Sequence, residues 1–213
     1  MYILIEAPSF RKVERHIHEK GDPICCILFA PTFDRICKSD IIPRFEYLDN
    51  RAGKNIDFYC VGYMGYANKT DFPDMKEIGV SKFKDSGEIP WSFSQRKFSE
   101  FVDEMEENTS WKYSGGTELI ILDSNADFTN TVIFKVDKML KDDAIDNVNE
   151  LLEALIQHSR KDKKTLEKFS LGTLGKKSSD ILVESIIELL PKGLKSMSGI
   201  WTKGKHYTID SIK

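Results

Sequence analysis

The residues of this 213-residue chain best suited to chemistry are its four cysteines, Cys25, Cys26, Cys37 and Cys60. Three of them lie in the apolar stretches "ICCILF" and "DFYCV", where a free cysteine commonly serves as a small core residue. Cys25 and Cys26 are neighbours, and neighbours on a strand point to opposite faces, so they do not form a natural redox pair. Cys37 is placed differently. It comes after the apolar run "CCILFAP" and the stretch "TFDR", and a helix is expected to start near Asp34. In the first turn of that helix its thiol would feel the positive end of the dipole, with Arg35 and Lys38 adjacent, and both effects lower a thiol pKa. Such a thiol suits glutathionylation or peroxide sensing. The alternative is a small buried side chain that packs the helix on the sheet. Disulfide exchange asks for a second, resolving thiol to release the mixed disulfide, and no cysteine stands three residues from Cys37. The paired C-x-x-C spacing of a structural zinc is missing as well, so no metal is expected.

The remaining chemistry-bearing residues give less. His16 and His18 sit at i and i+2 of an expected helix, about 200° apart, and so do not share a face to chelate one ion. Neither they nor His158 and His206 are flanked by a nucleophile motif, which leaves a hydrolase without positive support. "SLGTLGKKSS" has the flavour of a phosphate loop, but Ser170 stands where the first Gly is needed and Lys177 where the hydroxyl residue is needed. It reads as a basic linker, and no cofactor is expected. Asp103, Glu104, Glu106 and Glu107 read as a solvated acidic helix face.

The elements that must position Cys37 are legible from periodicity. "YILIE" reads as a first strand, and Pro8-Ser9 opens a helix carrying Phe10, Val13 and Ile17 on one face. "PICCILFAP" is apolar at every position, the mark of a strand buried on both faces. The helix from Asp34 is expected to bend at Pro43 and to close at Gly53. "NIDFYCVGYMGY" reads as a further strand and Pro73 to Val80 as a short helix, while "SGEIPWSF" is assigned no element. Phe98, Phe101, Val102 and Met105 mark an amphipathic helix. "TELIILDS" and "TVIFKVD" form a hairpin candidate. A helix is expected from Asp142-Asp143 to Arg160-Lys161, and another near Ile181 to Leu190, capped by Ser178 or Ser179 and stopped by Pro191. A short hairpin is expected around Lys203-Gly204-Lys205.

Composition bounds the setting. Hydrophobic residues make up 40% of the chain and charged residues 31%, as in an ordinary globular protein. No apolar run approaches the roughly 20 residues that span a bilayer. "MYILIEAPSF" lacks the basic and apolar regions of a signal peptide, so the cytoplasm, with reduced thiols, is the expected compartment. The net charge of −3 hides an asymmetry: Lys161 to Lys213 carries 11 Lys against 6 acidic residues, the rest 20 basic against 28 acidic. A basic tail of this kind docks on its own acidic body or on an acidic partner, a polyanion or a membrane surface. Its basic residues are dispersed, which gives no strong nucleic-acid signal.

Alternating strands and helices, then a hairpin and a final helix, give an α/β chain with a mixed sheet flanked by helices. Over roughly residues 1 to 158 this order resembles the thioredoxin-like fold. In that family an apolar-aromatic-Ala strand leads into a Trp-Cys-x-x-Cys-Lys turn and a proline-interrupted helix. Here Phe29-Ala30 ends the strand, Phe33-Asp34-Arg35-Ile36-Cys37-Lys38 occupies the motif, and Pro43 stands near the kink. The spacing is off by a residue on each side, and a helix is inserted before the hairpin. Ile89-Pro90 is the candidate for the family's cis-proline. The resemblance puts Asp34 where the attacking cysteine belongs and Cys37 where the resolving one belongs. A carboxylate can cap the helix but cannot attack a disulfide. The expected organisation is a thioredoxin-like α/β domain over 1–160 and a basic C-terminal helical segment over 161–213. The expected function is a redox-inactive protein-interaction or adaptor module whose partner is another protein or a second copy. Asp34, Arg35, Lys38, Ile89, Pro90, Trp91, Phe93 and Trp201 are candidate contacts, the aromatic ones with the core as their alternative. Enzymatic activity is the weaker expectation; its form would be a thiol-dependent oxidoreductase or redox sensor using Cys37. A third reading is a polyanion- or membrane-surface-binding module led by the tail.

Overall fold

The computed structural model describes residues 5–7, 9–20, 24–32, 36–52, 56–66, 70, 72–83, 87–123, 131–161, 176–190, 207–210 and 212. The first strand, β1 (Ile5–Ala7), leads into helix α1 (Phe10–Lys20), whose Val13 and Ile17 turn into the core. A carboxylate from a distant helix finishes its start: Phe10 N–H donates to Glu104 Oε2 at 2.9 Å. β2 (Ile24–Phe29) is buried at all six positions, as its unbroken apolar sequence requires. The chain then turns through a π-helical segment (Cys37–Ile41) and a 3-10 turn (Ile42–Arg44) into α2 (Phe45–Ala52). Pro43 explains the irregularity, since it cannot donate the hydrogen bond that a regular helix would need at that position.

β3 (Asp57–Val61) lies parallel to both β1 and β2. β7 (Glu118–Asp123) runs antiparallel to β2, and β8 (Val132–Lys135) antiparallel to β7. β9 (Thr208–Asp210) closes the six-stranded sheet, whose order is β1-β3-β2-β7-β8-β9. The sheet is therefore mixed, with the hairpin in its expected place. Helices flank it. α1 packs with α3 (Gln95–Asn108), where Phe10 meets Phe101 edge to face at 5.9 Å. α2 packs with α5 (Val148–Lys161), which also carries α6 (Lys176–Leu189). Leu182, Val183, Ile186, Ile187 and Leu190 are buried in the same core as the sheet, as are Tyr207 and Ile212.

Between β3 and α3 the chain builds a second, three-stranded antiparallel sheet of order β4-β6-β5, from β4 (Tyr63–Gly65), β5 (Lys76–Phe83) and β6 (Gly87–Phe93). Gly62 is the pivot between the sheets. Its φ is +79°, and a Cβ there would lie 2.9 Å from Phe93 Cε2 and 3.1 Å from the Ser94 carbonyl. Only glycine meets both demands without strain.

Several expectations change. In place of the short helix from Pro73 to Val80 the chain forms β5 from Lys76, and "SGEIPWSF", assigned no element from the sequence, carries β6. The helix expected from Asp142 begins at Val148, because "KVDKML" forms a short helix, α4 (Val136–Lys141), and Asp143 turns the chain with φ 53°. Ser178 and Ser179 fall inside α6, which starts at Lys176, and so are not its cap. The hairpin around Lys203 to Lys205 lies outside the described residues. No helix among the described residues is long and apolar enough to cross a membrane.

Candidate functional site

β2 delivers the chain to the Cys37 segment, and the hydroxyl of Tyr63 donates to the Ala30 carbonyl at 2.8 Å to fix the strand's end. The second sheet braces the irregular turn beyond Cys37. Ser81 Oγ donates to the Ile42 carbonyl at 2.9 Å, a second donor to an oxygen that already accepts the Phe45 N–H within the turn. Phe45, the first residue of α2, contacts Trp91 at 4.6 Å and Tyr63 at 6.1 Å between ring centroids. On the other flank, Asn149 Nδ2 of α5 donates to the Asp40 carbonyl at 2.9 Å, while its Oδ1 is buried with no hydrogen-bond partner among the described residues. The segment is thus held by α5 on one side and the second sheet on the other.

Cys25, Cys26 and Cys60 are all buried in β2 and β3. Burial pushes the Cys26 thiol well above its ordinary value, and the charge of Asp57 pushes it further. It is held as a neutral thiol, inert as a nucleophile. Cys37 and Lys38 are described in backbone alone, and Asp34, Arg35 and Trp201 lie outside the described residues.

The expected aromatic contacts alternate along β6. Ile89, Trp91 and Phe93 are buried and face α2 and the core, whereas Pro90 is exposed on the opposite face. The Ile89–Pro90 bond is trans, since no described peptide bond is cis. It lies within the second sheet and does not stand before the antiparallel β7. That position belongs to Gly116-Thr117, where Thr117 N–H donates to Asp137 Oδ2 at 2.8 Å. A Cβ on Gly116 would fall 1.7 Å from the same oxygen, so the carboxylate fills the place of a side chain.

Two charged clusters escaped sequence reasoning. In the first, Tyr47 Oη donates to Glu153 Oε2 at 2.9 Å, Arg51 pairs with Glu153 Oε1, and Gln157 Nε2 donates to that oxygen at 3.2 Å. Burial pushes the Glu153 carboxyl up, but the hydrogen bonds from Arg51, Tyr47 and Gln157 and the Arg51 charge outweigh it and hold the group below its ordinary value. The Tyr47 hydroxyl moves up, through burial and then through the carboxylate beside it. Tyr47, Glu153 and Gln157, with Arg44, Asn149 and Leu189, line an open depression of about 240 Å³ between α2, α5 and α6. The i, i+4 spacings of Tyr47 with Arg51 and of Glu153 with Gln157 were the available signals. In the second cluster, Glu106 accepts from Tyr113 N–H at 2.8 Å and pairs with Lys112 at 3.2 Å. Its carboxyl is held low by the Tyr113 bond first and Lys112 second. With Glu104 reaching the start of α1, the acidic stretch of α3 is a set of tethers as well as a solvated face.

His16 Nδ1 is 2.9 Å from the Tyr59 hydroxyl, and His18 is exposed, so the two point apart. No group of three His, Cys, Asp or Glu among the described residues could hold a metal ion. Against protein-family models, curated proteins and solved structures, the chain gives no match.

Proposed function

We propose that the protein is a thioredoxin-like scaffold that binds a protein partner and does not exchange disulfides. The sheet order supports the fold reading: two parallel neighbours, β3 and β2, then the antiparallel β7 and β8, with β2 leading to the Cys37 segment and a proline interrupting the helix after it. The second sheet is then an insertion between β3 and α3. The observation that carries the functional reading is the sealing of three of the four thiols inside the main sheet. That leaves Cys37 without a resolving partner in the same chain, and Asp34 takes the attacking position by the resemblance. The burial of α6 side chains against the core weighs against a membrane-led reading, because the apolar face such a module would insert is already occupied.

The test compares the intact protein with Cys37→Ser. Neither should accelerate the reduction of insulin by dithiothreitol, and both should retain the same partners in cross-linked pull-downs from the native cell. Acceleration of insulin reduction by dithiothreitol with the intact protein but not with Cys37→Ser, or a mixed disulfide trapped on Cys37, would replace this reading with the single-thiol enzyme.

A further inference from the structure

The second sheet has two edges, and the chain treats them differently. On the β4 side, β4 ends at Gly65, and Tyr66 continues the pairing beyond it. Its N–H donates to the Pro90 carbonyl at 3.2 Å, and its hydroxyl donates to the Glu88 carbonyl at 3.1 Å. Tyr66 reaches this position with φ 52°. Both carbonyls point toward β4, which also explains why a proline is tolerated in the middle strand: the missing N–H of Pro90 lies past the end of its neighbour.

The same alternation fixes what β5 presents on the far side. Pro90, Glu88 and Ser92 turn their polar groups toward β4, so their partners on β5, respectively Val80, Lys82 and Glu77, turn theirs away from β6. β5 is an edge strand, and among the described residues nothing pairs with that outer row. Val80 at its centre is one of three exposed large hydrophobics among the described residues, with 46% of its surface accessible.

We infer that the outer edge of β5 pairs antiparallel with β5 of a second copy, about a two-fold axis at Val80. The charge pattern argues for a copy of the same chain. The bulge between Glu77 and Gly79 makes three residues cover the span of two, so Glu77 and Lys82 stand at equal distances from Val80. An antiparallel copy then sets Glu77 against the partner's Lys82, Val80 against Val80, and Lys82 against the partner's Glu77. Edge lysines ordinarily discourage pairing. Here Lys82 of each copy meets a carboxylate. Such an interface is isologous and small, and it extends each three-stranded sheet to a continuous six.

Sedimentation velocity on the full chain, from about 5 to about 500 µM, tests this, since a small interface predicts a Kd of roughly 10–300 µM. Val80→Asp should lower the melting temperature by no more than about 2–4 °C, the cost of a poorer strand former at a half-exposed position, and abolish the dimer. Glu77→Lys and Lys82→Glu should each weaken it by roughly tenfold or more, because each sets like charges opposite one another. Mixing those two variants should restore a heterodimer, since the first then offers two lysines to two glutamates of the second. A wild-type chain that stays monomeric throughout the range would overturn the inference. So would a dimer indifferent to the Val80 and charge variants, or a mixture of the two charge variants that fails to associate.

Discussion

Glu153 shows at the scale of one residue how the α2–α5 side of the molecule is fastened. Three side chains converge on its carboxylate from both helices, Arg51 and Tyr47 from α2 and Gln157 from its own. The folded state holds this carboxyl below its unfolded value. Its contribution is therefore present above the unfolded pKa of about 4.3 and is lost as pH falls through the lower folded value. Glu153→Gln should lower the melting temperature by roughly 2–4 °C near neutral pH, a modest figure because the pair is partly solvated. The gap between variant and wild type should close below about pH 4. Thermal melts across pH check this, and a gap that persists unchanged to low pH would show that ionisation of Glu153 is irrelevant.

Among the elements, the passage from β3 to β4 is the decisive one, since it starts the second sheet that braces the Cys37 segment. Gly62→Ala forces an unfavourable φ and a contact with the Ser94 backbone, and should destabilise the protein by roughly 2 kcal/mol or more in urea unfolding. An unchanged midpoint would mean that the pivot relaxes freely. The elements also show where sequence was sufficient. β2 could be read because every residue in "ICCILF" is apolar, and α3 because Phe98, Phe101 and Met105 keep a helical period and are buried. β5 could not, because "KEIGVSKF" contains a bulge that breaks the alternation of faces, and an expected helix filled the gap. β6 was hidden by Pro90, a residue that argues against a middle strand until its neighbour is seen to end. α4 comes after β8 with no break in "VIFKVDKML", and nothing local marks the change of period. The Glu153 cluster was half legible: i, i+4 spacings mark its two halves within α2 and α5, but Tyr47 and Glu153 are 106 residues apart, and no local spacing joins the halves.

For the whole molecule, the C-terminal stretch matters most. β9 completes the main sheet beside β8, the Ile212 carbonyl accepts from Ser110 N–H at 2.8 Å, and α6 buries its apolar face on the same core. Truncation after Lys161 should thus abolish a single cooperative melt, and a truncated chain melting within about 2 °C of the intact one would contradict this. The proposed binding role depends above all on the state of the thiols, and a chromogenic disulfide added to the native protein measures it directly. Cys25, Cys26 and Cys60 should react only on unfolding, and Cys37 should react no faster than a free thiol with an ordinary pKa near 8.5. A rapid single-thiol burst with an apparent pKa well below about 7, lost in Cys37→Ser, would contradict the binding role and establish a thiol chemist in its place.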